Sequence, residues 1–157
     1  MFDETKKYKT KGHFFFKAGE KLAEVSKEVP DKPGVYYILR LARGKIQIVY
    51  IGKSGFIAGK GKNTEKLLKE SINGTIAGIE SEKFFENKIR KEDIDGLDIY
   101  WYVTMDKANN DLPEYVAGLL KQRFFEIEEE LPEWNLEERK DEKDIKTKVI
   151  PISQFKK

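Results

Sequence analysis

Two neighbouring stretches, Gly34 to Leu41 and Ile46 to Ile51, are dense in Val, Ile and Tyr, and Ala42-Arg43-Gly44-Lys45 between them supplies a glycine-bearing turn. This pattern predicts a β-hairpin. Upstream, Ala18, Leu22, Val25 and Val29 recur at spacings of four, three and four and stop at Pro30, which predicts a helix over residues 18 to 29. Downstream, Gly52 to Asn63 carries four glycines and little periodicity and reads as a loop. Thr64 is a candidate N-cap for a short helix through Ser71, with Leu67, Leu68 and Ile72 inward.

The second half follows the same logic. Ser81 caps a predicted helix to about Glu92, with Phe84, Phe85, Lys88 and Ile89 along its stripe, and Leu97 to Thr104 alternates as a third strand. After a polar loop from Asp106 to Asp111, Pro113 stands where a first-turn proline belongs. Val116, Leu119, Leu120, Phe124 and Ile127 then mark the face of a helix running to about Glu130, and Pro132 ends it. Leu136 to Lys148 is charged and reads as exposed, and Val149 to Ile152 reads as an edge strand. The element order predicts an α+β fold, a small, mostly antiparallel central sheet with a β-hairpin flanked by helices. A length of 157 residues fits one domain, read as residues 1–135 with an N-terminal helix, followed by a charged extension over 136–157.

Composition narrows the chemistry. With 39% apolar and 37% charged residues the chain is globular in character, and the absence of cysteine excludes disulfides and thiolate zinc sites. No stretch of the first twenty residues is long and apolar enough for a signal core or span, so an intracellular (cytoplasmic) protein away from membranes is the expectation. The net charge of +2 is small but unevenly spread. Residues 53 to 69 hold Lys53, Lys60, Lys62, Lys66 and Lys69 against Glu65 alone, whereas residues 126 to 144 hold ten acidic side chains against three basic ones. Two solvated faces of opposite sign would explain this, but a basic loop directly after the hairpin points toward an anion site.

Several motifs fail on spacing or context. Gly55, Gly59, Lys60 and Gly61 lack the Walker separation and its hydroxyl residue. Asn73-Gly74-Thr75 is a glycosylation match by chance in a chain expected to stay inside the cell. His13 is the sole histidine and falls in a start read as flexible, which excludes histidine-based triads and multi-histidine metal sites. Chemistry must therefore come from Tyr, Lys, Arg, Asp or Glu.

The hairpin carries two short phrases, Gly34-Val35-Tyr36 and Tyr50-Ile51-Gly52, with thirteen residues between the tyrosines, and Pro132-Glu133-Trp134-Asn135 follows the last helix. Together these resemble the signature and proline-aromatic-asparagine close of the GIY-YIG nuclease superfamily over roughly residues 30 to 135. The resemblance implies a DNA endonuclease that hydrolyses phosphodiesters with Mg2+ or Mn2+. It assigns Tyr36 to act as or with the general base and Tyr50 to orient phosphate or water, with Gly52, Lys53, Lys60, Lys62, Lys66 and Lys69 toward the nucleic acid. A free tyrosine titrates near about 10, so Tyr36 needs cations to depress it. Two features depart from the family. No arginine occurs between Lys53 and Ile89, leaving Lys66 or Lys69 as a weaker phosphate clamp, and Ala117 stands where the metal-binding glutamate is expected. Glu114, one turn earlier, is the best replacement and Glu126 a weaker one. The expected activity is therefore weak or lost. The alternatives are a non-catalytic nucleic-acid-binding module on the same fold, or an interaction module whose acidic segment 126–144 engages a basic protein partner.

Overall fold

The computed structural model describes residues 2–55 and 67–139. The predicted hairpin is present as β2 (Gly34–Ala42) and β3 (Lys45–Lys53). Its two-residue turn places Arg43 at φ 50° and Gly44 at φ 72°, the double left-handed geometry that suits the twist of paired strands. A strand not foreseen in the sequence, β1 (Lys11–Phe16), precedes it, and β6 (Gly96–Val103) follows it. These four strands form one antiparallel sheet in the order β1-β6-β2-β3, so the fold is α+β as expected. The minor strands β4 (Thr75–Ile76) and β5 (Ile79–Glu80) make a separate small hairpin.

The strands are accompanied by helices α1 (Leu22–Val25), α2 (Leu68–Ile72), α3 (Ser81–Lys91) and α4 (Pro113–Glu128). Residues 133–139 are helical as well. The sheet divides the core in two. On one face Tyr36, Ile38, Tyr50, Ile99 and Trp101 pack with Leu68, Ile72, Phe84, Phe85 and Trp134. On the other, Val35, Tyr37, Leu39, Ile51 and Tyr102 pack with Phe2, Tyr8, Val116, Ala117 and Leu120. Period-two alternation along β2 and β6 sends successive side chains to opposite layers, which is why both strands are buried nearly throughout.

Three expectations need correction. The helix expected over residues 18 to 29 is reduced to one turn, Leu22–Val25, because Gly19 adopts φ 90° and its N–H is held by the Glu86 carboxylate. Leu22 and Val29 are buried all the same, so the stripe marked burial correctly and continuity wrongly. His13 belongs to β1, paired opposite Tyr100, stacked on that ring at 4.6 Å and bonded through Nδ1 to Asp98 at 2.8 Å. On α4, Leu119 and Ile127 are exposed, while Val116, Ala117 and Leu120 face the sheet. Thr64 and the strand expected over Val149 to Ile152 lie outside the described residues. Among the described residues, no helix is long and apolar enough to cross a membrane.

Candidate nucleic-acid interface

The hairpin register shifts between Ile38 and Leu39: Ile38 pairs with Tyr50 and Leu39 with Ile48, leaving Val49 as an extra residue in β3. Such a bulge changes which face the following residues reach. Ile48, before it, packs with the α4 layer, whereas Tyr50, after it, reaches the face that holds Tyr36. The two rings lie 6.0 Å apart at 40°. Gly52, opposite Tyr36, is the permissive position: a Cβ there would fall within the Tyr36 ring. Gly34 is required for a similar reason, since a Cβ would overlap the Tyr102 backbone. Both glycines of the paired phrases thus serve close packing within the sheet.

The Tyr36 and Tyr50 rings form one wall of a cleft of about 410 Å³. Lys53 extends from the end of β3, Ser71 and Thr75 come from α2 and β4, and Lys121 reaches in from α4. Glu138 contributes a carboxylate, which accepts a 2.9 Å hydrogen bond from the Tyr50 hydroxyl. Burial, followed by the negative charge of Glu138, raises the Tyr36 hydroxyl above its ordinary range. Tyr50 is raised too, first by burial and then by Tyr36 and Glu138. Both hydroxyls are therefore protonated at neutral pH, and the Tyr50 proton is already given to Glu138. The cation-driven depression that a Tyr36 base requires is opposite in sign to what the described surroundings produce.

Glu138 reaches this position because the chain passes over the open edge of β3 after α4. The Asn135 side chain spans that edge, its Oδ1 accepting from the Ile51 N–H at 2.8 Å and its Nδ2 donating to the Ile51 carbonyl at 2.9 Å. This pair imitates one rung of a neighbouring strand and satisfies the backbone between Tyr50 and Gly52. Beside it, Trp134 is fully buried against Phe84 and Phe85, and Arg40 grips the Glu133 carboxylate with two 3.0 Å bonds.

No family model, curated protein or solved structure matches the chain. The geometry brings Tyr36, Tyr50, Gly52 and Lys53 together. Lys69, on α2, is half-buried and does not line the cleft, while Lys60, Lys62 and Lys66 lie outside the described residues. Glu114 is exposed in the first turn of α4 and does not line the cleft. Glu126 is exposed and held by Arg123 and Gln122. Ala117 packs in the opposite layer, so a carboxylate there would enter apolar core and not the tyrosine cleft.

The sequence reading missed Lys121 and Glu138. Neither belongs to a recognisable spacing, and each depends on how an element crosses the sheet. For Mg2+ or Mn2+ the described lining offers one carboxylate, already engaged by Tyr50, and two ammonium groups that oppose a cation. A hard divalent ion seeks several oxygen ligands, so this donor set does not fit one; it fits phosphate oxygens better. Among the described residues no group of three or more His, Asp or Glu side chains converges as a cation site.

Proposed function

We propose that the protein is a GIY-YIG-like module that binds the phosphate backbone of DNA at the tyrosine cleft without hydrolysing it. One observation carries the reading: Lys53 and Lys121 line one cleft with the protonated Tyr36 beside the bulged hairpin, where the Glu138 carboxylate is already engaged by Tyr50. Donors of this kind hold phosphate oxygens independently of base sequence. The lysine-bearing segment from Lys53 to Lys69 adds positive charge along the chain.

The test is duplex DNA binding followed by fluorescence anisotropy across a salt series, with Lys53→Gln and Lys121→Gln beside the native protein. Each substitution should reduce the slope of log affinity against log salt by about 1, the signature of one lost phosphate contact. Affinity insensitive to salt and to both substitutions would overturn the binding reading. Parallel incubation of supercoiled DNA with Mg2+ or Mn2+ should leave it intact. Cleavage abolished by Tyr36→Phe would replace binding alone with the endonuclease reading.

A basic protein partner for the acidic segment 126–144 is a separate proposal. It is favoured by the exposed Glu128, Glu129 and Glu130 at the end of α4.

A further inference from the structure

A second cavity, larger than the tyrosine cleft, lies away from it. A groove of about 720 Å³ opens between the C-terminal half of α4, the turn end of β3 and the N-terminal residues. Phe2, Ile48 and Phe124 line it and extend the apolar layer beneath α4. Ile46 and Ile127 also line it, and they are 65% and 69% exposed. An isolated exposed isoleucine needs no explanation, but two flanking a groove whose walls continue the core form a coherent apolar face.

The charges around this face have one dominant sign. Five carboxylates, those of Asp3, Glu4, Glu128, Glu130 and Glu133, line the groove against two guanidiniums. Both guanidiniums are already engaged, Arg40 by Glu92 and Glu133, and Arg123 by Glu4 and Glu126. Those pairs also use the Glu4 and Glu133 carboxylates, and Lys6 pairs with Asp3 at 3.0 Å, so the negative charge presented to a visitor is that of Glu128 and Glu130. Nucleic acid and anionic lipid would be repelled, and a purely apolar visitor would leave the carboxylates unmatched.

We infer that this groove docks a protein segment that is both amphipathic and basic, its apolar stripe between Ile46 and Ile127 and its Lys or Arg side chains toward Glu128 and Glu130. The inference rests on the reading of a basic partner for the acidic segment and adds an apolar requirement to it. A groove of this size, with an apolar floor and charged rim, has the form that receives one face of an amphipathic helix.

The test uses the full chain and two fluorescent synthetic peptides of identical leucine and lysine content, one with leucines at helical i, i+3, i+4 spacing and one scrambled. The ordered peptide should bind at least about ten-fold more tightly than the scrambled one, because only it aligns an apolar stripe. Ile127→Asp should remove that advantage without loss of folding, since the side chain is exposed. Glu128→Lys combined with Glu130→Lys should weaken both peptides. Equal binding of the two peptides, or indifference to Ile127→Asp, would overturn the groove while leaving a general basic partner in place. Absence of binding by either peptide would overturn both readings. Self-association abolished by Ile127→Asp, with no peptide bound, would assign the groove to a second copy of the chain and overturn the inference.

Discussion

Gly52 and Tyr36 form a matched pair. The ring occupies the space in which any other residue at position 52 would place its Cβ, so the glycine of the second phrase exists for the tyrosine of the first. Gly52→Ala should destabilise the fold by about 1–3 kcal/mol through overpacking. The same change in a Tyr36→Ala background should cost distinctly less, a coupling that urea denaturation of the four proteins would measure. Equal costs in both backgrounds would mean that backbone conformation, and not the ring, requires glycine there. Asn135 has a comparably local duty: its amide satisfies both backbone groups of Ile51, and it thereby fixes the strand between Tyr50 and Gly52.

At the scale of elements, the bulge at Val49 and the crossing of residues 129–135 over the edge of β3 assemble the cleft. The crossing is pinned by Trp134, Asn135 and the pair between Arg40 and Glu133. Hydrogen bonds from Arg40 hold the Glu133 carboxyl below its ordinary value of about 4.5, with burial opposing and Arg40 and Lys88 charges assisting. Glu92 and Gln47 share the same guanidinium. A depressed folded-state carboxyl contributes stability in full above the unfolded value and loses it as pH falls through the folded value. Native stability should therefore decline on acidification below about pH 4.5, and Glu133→Gln should flatten that acid limb in urea titrations at successive pH. Identical limbs would show that this pair does not couple to folding.

The same elements explain what could be read in advance. The hairpin was legible because Val, Ile and Tyr density and a glycine turn are local properties, and the tyrosine phrases named two rings that the hairpin brings side by side. β1 was not: Lys11, Gly12 and His13 have little strand character of their own, and the strand is fixed by pairing with the distant β6, where His13 lies opposite Tyr100 and its ring bonds Asp98, 85 residues away. The buried face of α4 differs from the expected stripe because alanine is small and weakly apolar in the pattern, yet Ala117 is buried in the layer with Val116 and Leu120. Lys121 and Glu138 enter the site through tertiary crossings, which no spacing in the chain encodes.

At the scale of the molecule, the sheet separates two surfaces of different character. Tyr36, Tyr50, Lys53, Lys121 and Glu138 line the cleft, and isoleucines and carboxylates line the groove beside the C-terminal half of α4. This separation makes the DNA proposal spatially specific. The most direct measurement is NMR of ring-labelled tyrosine during titration with duplex DNA, because the seven tyrosines sample both faces. Binding at the cleft predicts that the Tyr36 and Tyr50 resonances shift together while those of Tyr37 and Tyr102 in the opposite layer stay in place. Shifts at Tyr37 and Tyr102 with Tyr36 and Tyr50 unmoved, or no shift at any ring, would contradict it.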